Sequence, residues 1–437
     1  MNKRIVAGML FTTVVCMTLG GCGFTADKEN VKNSGAVESV MPGAEVSTEM
    51  TERDAEADNG VVQLKVWSEE DNFDMLNQMI DSFEQKYAGQ AKFEITLEQN
   101  ADSDTKDILL GDIHNGADVF PFADDQLSAM VAAGALYPVP NAEEVKSANL
   151  EESVSAAFIN ILYAYPMTAD NGYFLYYDKN VLSDEDVQTM DGMLEALNAA
   201  GRSFSMELNS GWYLYTFFGN TGLEFGINDD GVTNYCNWNA TDGAIKGVDV
   251  AQAILNITTN PAFISQPDGD FITGVQNGTV SAGISGVWNA VSVREAWGDN
   301  YGAVKLPTYT VAGQQVQMSS FTGYKMMGVN AYSKYPEWAA KLADWLTNEE
   351  NQTIRFEERN QGPSNTNAAA SDAVKQVPAI QAVIAQSEFG KLQRVGNSYW
   401  DACSAFSDTM AAGNPSGQDL QEIMDTLVEG ITASAAK

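Results

Sequence analysis

The stretch VVQLKVWSEEDNFDMLNQMIDSFEQKYAGQAKFEITL, residues 61–97, carries the pattern that decides the fold. Apolar and polar residues alternate from Val62 to Val66, which predicts a strand that ends at Trp67. Apolar side chains then recur at helical spacing over 75–83, and residues 93–97 alternate again as a second strand. Strands and helices in this order predict a parallel sheet with helices on its faces. In such sheets, ligands bind beyond the carboxyl ends of the strands.

The alternation of strands and helices continues along the chain. The composition changes after Tyr163, where glycine, asparagine and aromatic residues become frequent. We predict further strands at residues 117–120, 173–177, 280–284 and 304–306. We predict further helices at 127–131, 190–200, 251–257, 373–386, 399–412 and 418–430, and one that Pro336 opens. Residues 209–241 are predicted to be turns.

Size and charge narrow the class of protein. About 377 residues follow position 60, more than one core usually holds, so two lobes are expected. The formal charge is −35, and it becomes −37 without Lys3 and Arg4, which makes nucleic acid an implausible partner and gives an anionic lipid surface no attraction. The single His114 argues against a histidine-rich metal site and against a Ser-His-Asp mechanism. No metal and no cofactor are expected.

The N-terminus has the three parts of a secretory signal. Lys3 and Arg4 precede an apolar run of about 15 residues, which is shorter than the roughly 20 that span a bilayer. Small residues then lead to Cys22, an arrangement that resembles the bacterial lipobox, in which the cysteine carries lipid and becomes the mature N-terminus. An ordinary signal peptide that happens to contain Cys22 is the alternative. We therefore expect an extracytoplasmic protein whose acyl chains, palmitate among them, anchor it to the outer face of the cytoplasmic membrane, in the Gram-positive manner.

Residues 22–60 read as the lipidated cysteine followed by a flexible acidic linker, because they have no hydrophobic period and cannot bury enough apolar surface to order themselves. An N-terminal arm that docks on the domain is the alternative. After Cys16 and Cys22, only Cys236 and Cys403 remain, and they lack the spacing of a metal or redox motif. The sequence leaves two alternatives for this pair of cysteines, namely one disulfide or two buried free thiols.

Ordered motifs over nearly all of residues 61–437 resemble a known family. They are DVFPFADD at 118–125, AGAL at 133–136, AYP at 164–166, YFLYYDK at 173–179, NGTVSA at 277–282, GVW at 286–288 and YW at 399–400. In this order and at these separations they resemble the extracellular solute-binding proteins of carbohydrate ABC importers, and most closely the maltose/maltodextrin-binding proteins.

The resemblance implies an α/β fold of the periplasmic-binding-protein type II kind, with two lobes joined by three hinge crossings around a ligand cleft. The crossings would fall near residues 166–170, 321–324 and 374–380. Residues 61–167 and 325–376 would form lobe 1, and 168–324 and 377–437 lobe 2, after a signal peptide at 1–21.

The resemblance also implies which residues bind ligand. Sugars need aromatic platforms for their C–H faces, and carboxylates or amides for their hydroxyls. Matched to the family's motifs, the candidates are Asp71, Asn72, Phe122, Asp125, Gln126, Asp170, Trp212 or Tyr213, Trp288 and Trp400. Phe122 stands where tryptophan is usual, Asn72 where lysine is usual, and Gln126 and Ser404 where arginines are usual, which leaves chain length and linkage preference open. Trp67, Trp338 and Trp345 are expected in the core.

The function that the resemblance implies is capture of maltose or malto-oligosaccharides and their delivery to ABC permease subunits served by a cytoplasmic ATPase. The protein would be a monomer and not an enzyme. The alternatives are a binder of xylo-, manno- or galactosyl-oligosaccharides, a secreted glycoside hydrolase using two of the 59 Asp and Glu residues, and a surface adhesin or sensor without a transporter.

Overall fold

The computed structural model describes residues 60–228, 230 and 232–434. The predicted signal peptide, the predicted lipid attachment at Cys22 and the predicted linker up to residue 59 lie outside the described residues. The strands are β1 Val61–Ser68, β2 Lys92–Gln99, β3 Val119–Ala123, β4 Phe158–Ile159, β5 Ile161–Leu162, β6 Ala164–Asp178, β7 Ser203–Met206, β8 Phe225–Ile227, β9 Asn234–Cys236, β10 Phe263–Ser265, β11 Val280–Gly286, β12 Tyr301–Val304, β13 Thr308–Val311, β14 Gln314–Gln317, β15 Ser320–Val329 and β16 Gly390–Leu392.

The helices are α1 Phe73–Tyr87, α2 Thr105–Gly111, α3 Leu127–Ala132, α4 Ala142–Ala148, α5 Glu151–Ala156, α6 Met190–Ala200, α7 Gly211–Phe218, α8 Gly247–Thr258, α9 Asp268–Asn277, α10 Ala290–Trp297, α11 Pro336–Leu346, α12 Glu349–Arg359, α13 Thr366–Ala369, α14 Asp372–Lys375, α15 Pro378–Ser387, α16 Ser398–Ala411 and α17 Leu420–Ile431. Among the described residues, none of these helices is long and apolar enough to cross a bilayer.

The central sheet is mixed rather than parallel throughout. Its strands follow the order β10-β7-β11-β6-β15-β3-β1-β2, with β12 paired to β6 and β16 to β15. The strands β1, β2 and β3 are parallel, as are β7, β10 and β11, but β6 and β15 run antiparallel to each other and to their other neighbours in this order. The parallel pairing that the alternation of strands and helices predicts is therefore found on both sides of the sheet but not at its centre, where two long antiparallel strands lie.

These two long strands, β6 and β15, pass from one half of the sheet to the other. The first part of β6 pairs with β15, whereas Tyr173–Asp178 pairs with β11 and β12. Their mutual register shifts between Gly323 and Met326. Such an irregularity bends a strand and increases its local twist, which suits a segment that connects two bodies.

Hydrophobic cores lie on both sides of this crossing. One contains side chains from β1, β3, α1 and α11, with Val66, Phe83 and Leu342 fully buried. A second contains side chains from α6, α7, α8, α16 and α17. A third packs α9 and α10 against α15 and the end of β6. Trp67 lies in the first core, and Trp338 and Trp345 pack against it partly buried.

Local signals explain most element boundaries. Thr189 caps α6 by accepting the Gly192 N–H, and Gly201 ends that helix with φ 62°. The predicted helix over 373–386 is broken, because Pro378 opens a new helix, α15, after α14 has ended. Two strands lie a few residues from their predicted positions, namely β3 and β12. The predicted turns of 209–241 contain a helix, α7, whose residues are nearly all buried and so carry little amphipathic period.

Candidate ligand-binding cleft

A cleft of about 870 Å³ lies between the first and second cores. Its walls come from residues just beyond the carboxyl ends of parallel strands on both sides. Glu69 follows β1 and Asp125 follows β3, while Glu207 follows β7 and Trp288 follows β11. The ends of parallel strands meet at one edge of a sheet, so side chains distant in sequence converge there. The volume is in the range of small-molecule sites, about 300–1,000 Å³.

Four aromatic side chains line the cleft, and all four were predicted site residues: Trp212, Tyr213, Trp288 and Trp400. The three indoles are partly buried, while Tyr213 is 3% exposed. Trp212 stacks on Phe321, with ring centroids 5.6 Å apart and planes 27° apart. Trp400, on the first turn of α16, packs edge-on against Tyr399. Trp212 and Tyr213, which were predicted as alternatives for one aromatic contact, therefore both line this cavity.

Trp288 is held on three sides. Its Nε1 donates to Asp268 Oδ2 at 2.9 Å. The Lys325 ammonium lies 5.7 Å from the ring centroid, a cation–π distance. The indole also folds back over Gly286, so closely that a Cβ there would overlap three of its ring atoms.

The predicted Asp125 and Gln126 also line the cleft. Burial and the neighbouring Asp124 raise the pKa of Asp125 to about 8. Among the described residues its buried Oδ1 has no hydrogen-bond partner, which leaves an acceptor available. Gln126 is already used within the protein, since its amide bonds the backbone of Asp102, Ser103 and Lys106.

The remaining predicted residues lie elsewhere in this structure. Phe122 is fully buried in the first core. The Asp71 side chain is 78% exposed and pairs with Arg359 at 3.4 Å. Asp170 is buried and accepts the Gly362 N–H, and burial raises its pKa to about 6. Asn72 lines a small cavity of about 20 Å³ that shares Glu69, Asp102 and Lys325 with the cleft.

Several polar residues of the cleft were not predicted. Lys325 forms an ion pair with Asp102 at 2.6 Å, and both side chains are more than four-fifths buried. Burial and the Asp102 charge raise the pKa of Glu69. The cleft also contains Glu207, Asp268, Gln393, Asn397 and Asp401. The sequence does contain a signal for Asp268, because acidic residues are typical of the first turn of a helix, and Asp268 begins α9.

Among the described residues, no group of His, Cys, Asp and Glu is arranged to hold a metal ion. Cys236 and Cys403 are both free thiols, of which Cys403 is buried and Cys236 is half-buried.

Two lobes joined by paired long strands, with a cleft at the strand ends, define a two-lobed binding-protein fold. The profile of the bacterial extracellular solute-binding proteins matches residues 78–382, and the chain belongs to that family. It is 25% identical over 389 residues to the galactooligosaccharide-binding protein of Bacillus subtilis, covering 84% of this chain and 88% of the relative.

The chain is also 24% identical over 354 residues to a maltooligosaccharide ABC transporter solute-binding lipoprotein of Streptococcus pneumoniae, covering 76% of this chain and 80% of the relative. The solved structure of maltodextrin binding protein MalE1 from L. casei BL23 without ligand superposes with a TM-score of 0.70 at 23% identity. That superposition covers 86% of this chain and 100% of the other. The predicted family and two-lobed fold are confirmed.

Proposed function

We propose that this protein captures malto-oligosaccharides in the cleft and delivers them to an ABC permease. The observation that carries the proposal is the set of three partly buried indoles and Tyr213 around one cavity that also contains carboxylates. Aromatic faces suit the C–H faces of sugar rings, and carboxylates accept hydrogen bonds from hydroxyls. The names of the Streptococcus relative and the L. casei structure support an α-glucan fragment as ligand.

Ligand closure would bring residues 61–167 and 325–376, as lobe 1, toward residues 168–324 and 377–437, as lobe 2. The closed form would then be what the permease recognises. Asp71, Asn72, Phe122 and Asp170 remain proposed ligand contacts, to be made in the closed form. A lipid chain on Cys22 would hold the monomeric protein at the outer face of the membrane, and the linker would set its reach.

Galactosyl-oligosaccharide is the second candidate ligand. It is favoured by the name of the Bacillus relative, which covers more of this chain than the maltooligosaccharide-binding one does. The two candidate ligands would use the same aromatic and carboxylate contacts and differ in the stereochemistry of their hydroxyls. A comparison of their affinities for this protein therefore distinguishes them.

The test is calorimetric titration of the purified protein with maltotriose and, separately, with galactotriose. We expect maltotriose to bind more tightly, and Trp288→Ala and Trp400→Ala each to weaken it by about tenfold or more, since an aromatic contact contributes about 0.5–1.5 kcal/mol beyond its buried area. Trp338→Ala is the matched control, because that indole packs on Tyr87 and Phe93 away from the cleft. Tighter binding of galactotriose would replace the proposed ligand. Shortened products from maltoheptaose would indicate a hydrolase instead.

A further inference from the structure

Asp268 stands between two of the aromatic side chains of the cleft. Its Oδ2 accepts one hydrogen bond from Trp288 Nε1 at 2.9 Å and another from the Tyr213 hydroxyl at 3.0 Å. One carboxylate oxygen therefore fixes two rings at once. Hydrogen bonds to an ionised acceptor are about twice as strong as those between neutral groups.

The three residues come from three separate elements of the chain. Asp268 is in the first turn of α9, Tyr213 is in the first turn of α7, and Trp288 follows β11. The N-terminus of a helix favours a negative charge, which suits a carboxylate at position 268. The Ser285 hydroxyl is a further hydrogen-bonding neighbour of this carboxylate.

Both rings need this acceptor. Tyr213 is 3% exposed, and a buried hydroxyl without a partner is costly. Trp288 is only partly buried, so packing alone leaves its ring freer than a core side chain. Gly286 lies beneath the indole and Lys325 lies 5.7 Å from its centre, but neither contact bonds the N–H edge. Asp268 holds that N–H edge and thereby fixes the direction in which the edge of the indole points.

We propose that Asp268 is a positioning residue that fixes Trp288 and Tyr213 in the orientation in which they receive a sugar ring. This inference rests on the proposed function, because it assigns a role within the same cleft. A ring fixed before binding loses less conformational freedom when the ligand arrives.

The experiment compares Asp268→Ala with Asp268→Asn and with Asp270→Ala. Asp270 lies in the same first turn of α9 and is exposed, so its loss changes the charge at the helix terminus in the same way without touching either ring. We expect Asp268→Ala to weaken maltotriose binding by tenfold or more. Asp268→Asn should restore most of it, because the amide oxygen still accepts, and Asp270→Ala should bind like the unaltered protein.

A second arm separates positioning from direct contact with the sugar. In a protein that already carries Trp288→Phe and Tyr213→Phe, neither the indole N–H nor the phenol hydroxyl remains for Asp268 to hold. Asp268→Ala should then change affinity by less than twofold. An equal loss in both backgrounds would mean that the carboxylate itself binds sugar, and would overturn the proposal.

The third arm needs no sugar and keeps the inference apart from the proposed function. The indole N–H of Trp288, assigned with Trp288→Phe in a ¹H–¹⁵N spectrum, should move upfield and exchange faster with solvent in Asp268→Ala. An unchanged resonance would refute the positioning role. If neither trisaccharide binds the unaltered protein while this resonance still shifts, the proposed ligands fail and the positioning role stands.

Discussion

Gly286→Ala should weaken sugar binding by displacing Trp288, although it changes none of the side chains that line the cleft. A Cβ on residue 286 would lie closer than 3.0 Å to three atoms of the indole, whereas ordinary contact begins at 3.4 Å. The ring would have to move by roughly 1 Å, because van der Waals repulsion rises steeply inside contact distance. That movement strains the bond from Trp288 Nε1 to Asp268, which is 2.9 Å long.

The expected size of the effect follows from these contacts. Adding a methyl group to a packed site costs about 1–3 kcal/mol of the free energy of unfolding. Misplacing one aromatic platform should cost about 1.4 kcal/mol of binding, which is tenfold in the dissociation constant. Urea denaturation measures the first quantity, and calorimetric titration with maltotriose measures the second.

Gly283→Ala is the matched control, because Gly283 lies on the same strand, β11, but faces the interior. Its added Cβ would lie 2.7 Å from Cδ2 of Phe271, a fully buried ring. The two variants should lose similar stability, but only Gly286→Ala should lose affinity. Equal affinity losses in the two variants, or none in Gly286→Ala, would refute the argument that Trp288 is a platform shaped by the backbone beneath it.

Three further predictions concern charge and thiols. Burial raises the pKa of Asp125 from 3.8 to about 8, so the folded state holds that proton more tightly than the unfolded state. Its contribution to stability is full below pH 4 and is lost as the pH rises through 8. In urea denaturation, Asp125→Asn should therefore reduce the slope of stability against pH by at most about 1.4 kcal/mol per pH unit, which is the share of one proton. Lys325→Met should lower the free energy of unfolding by about 3 kcal/mol, because it leaves the buried Asp102 carboxylate unpaired. The double variant Lys325→Met with Asp102→Leu should recover part of that loss. Cys236 and Cys403 should be alkylated only after denaturation, because burial raises the pKa of both thiols. Peptide mass spectrometry measures this alkylation, and rapid alkylation of Cys403 in the native protein would contradict the prediction.

The sequence pattern predicted elements well where one face is apolar. The helix at 190–200 was predicted with its observed ends, since a capping threonine and a left-handed glycine mark them. Periodicity failed for α7, which is buried on nearly all sides, and it could not show that β6 and β15 run antiparallel through the centre of the sheet. Strand direction depends on the path of the chain between strands, which a local pattern does not contain.

Only part of the candidate site could be predicted from the sequence in the same way. Aromatic residues at strand ends and helix starts could be placed from the motifs, and Trp288 and Trp400 do line the cleft. Residues that act through a partner could not be placed in this way. Lys325 lies on a strand and Asp268 opens a helix, and each owes its position in the cleft to contacts with residues distant in sequence.

The position of Lys325 links the cleft to the strands that join the lobes. Lys325 lies on β15 where its register with β6 shifts, and it pairs with Asp102 beside the first core while lying over Trp288 beside the other. Asn171, on β6, lines the same cavity and is paired with Gly323. A ligand in this cleft would therefore contact the crossing strands as well as the two walls. The contacts of both walls therefore meet at one ammonium group, because Lys325 contacts Asp102 on one side and the Trp288 ring on the other.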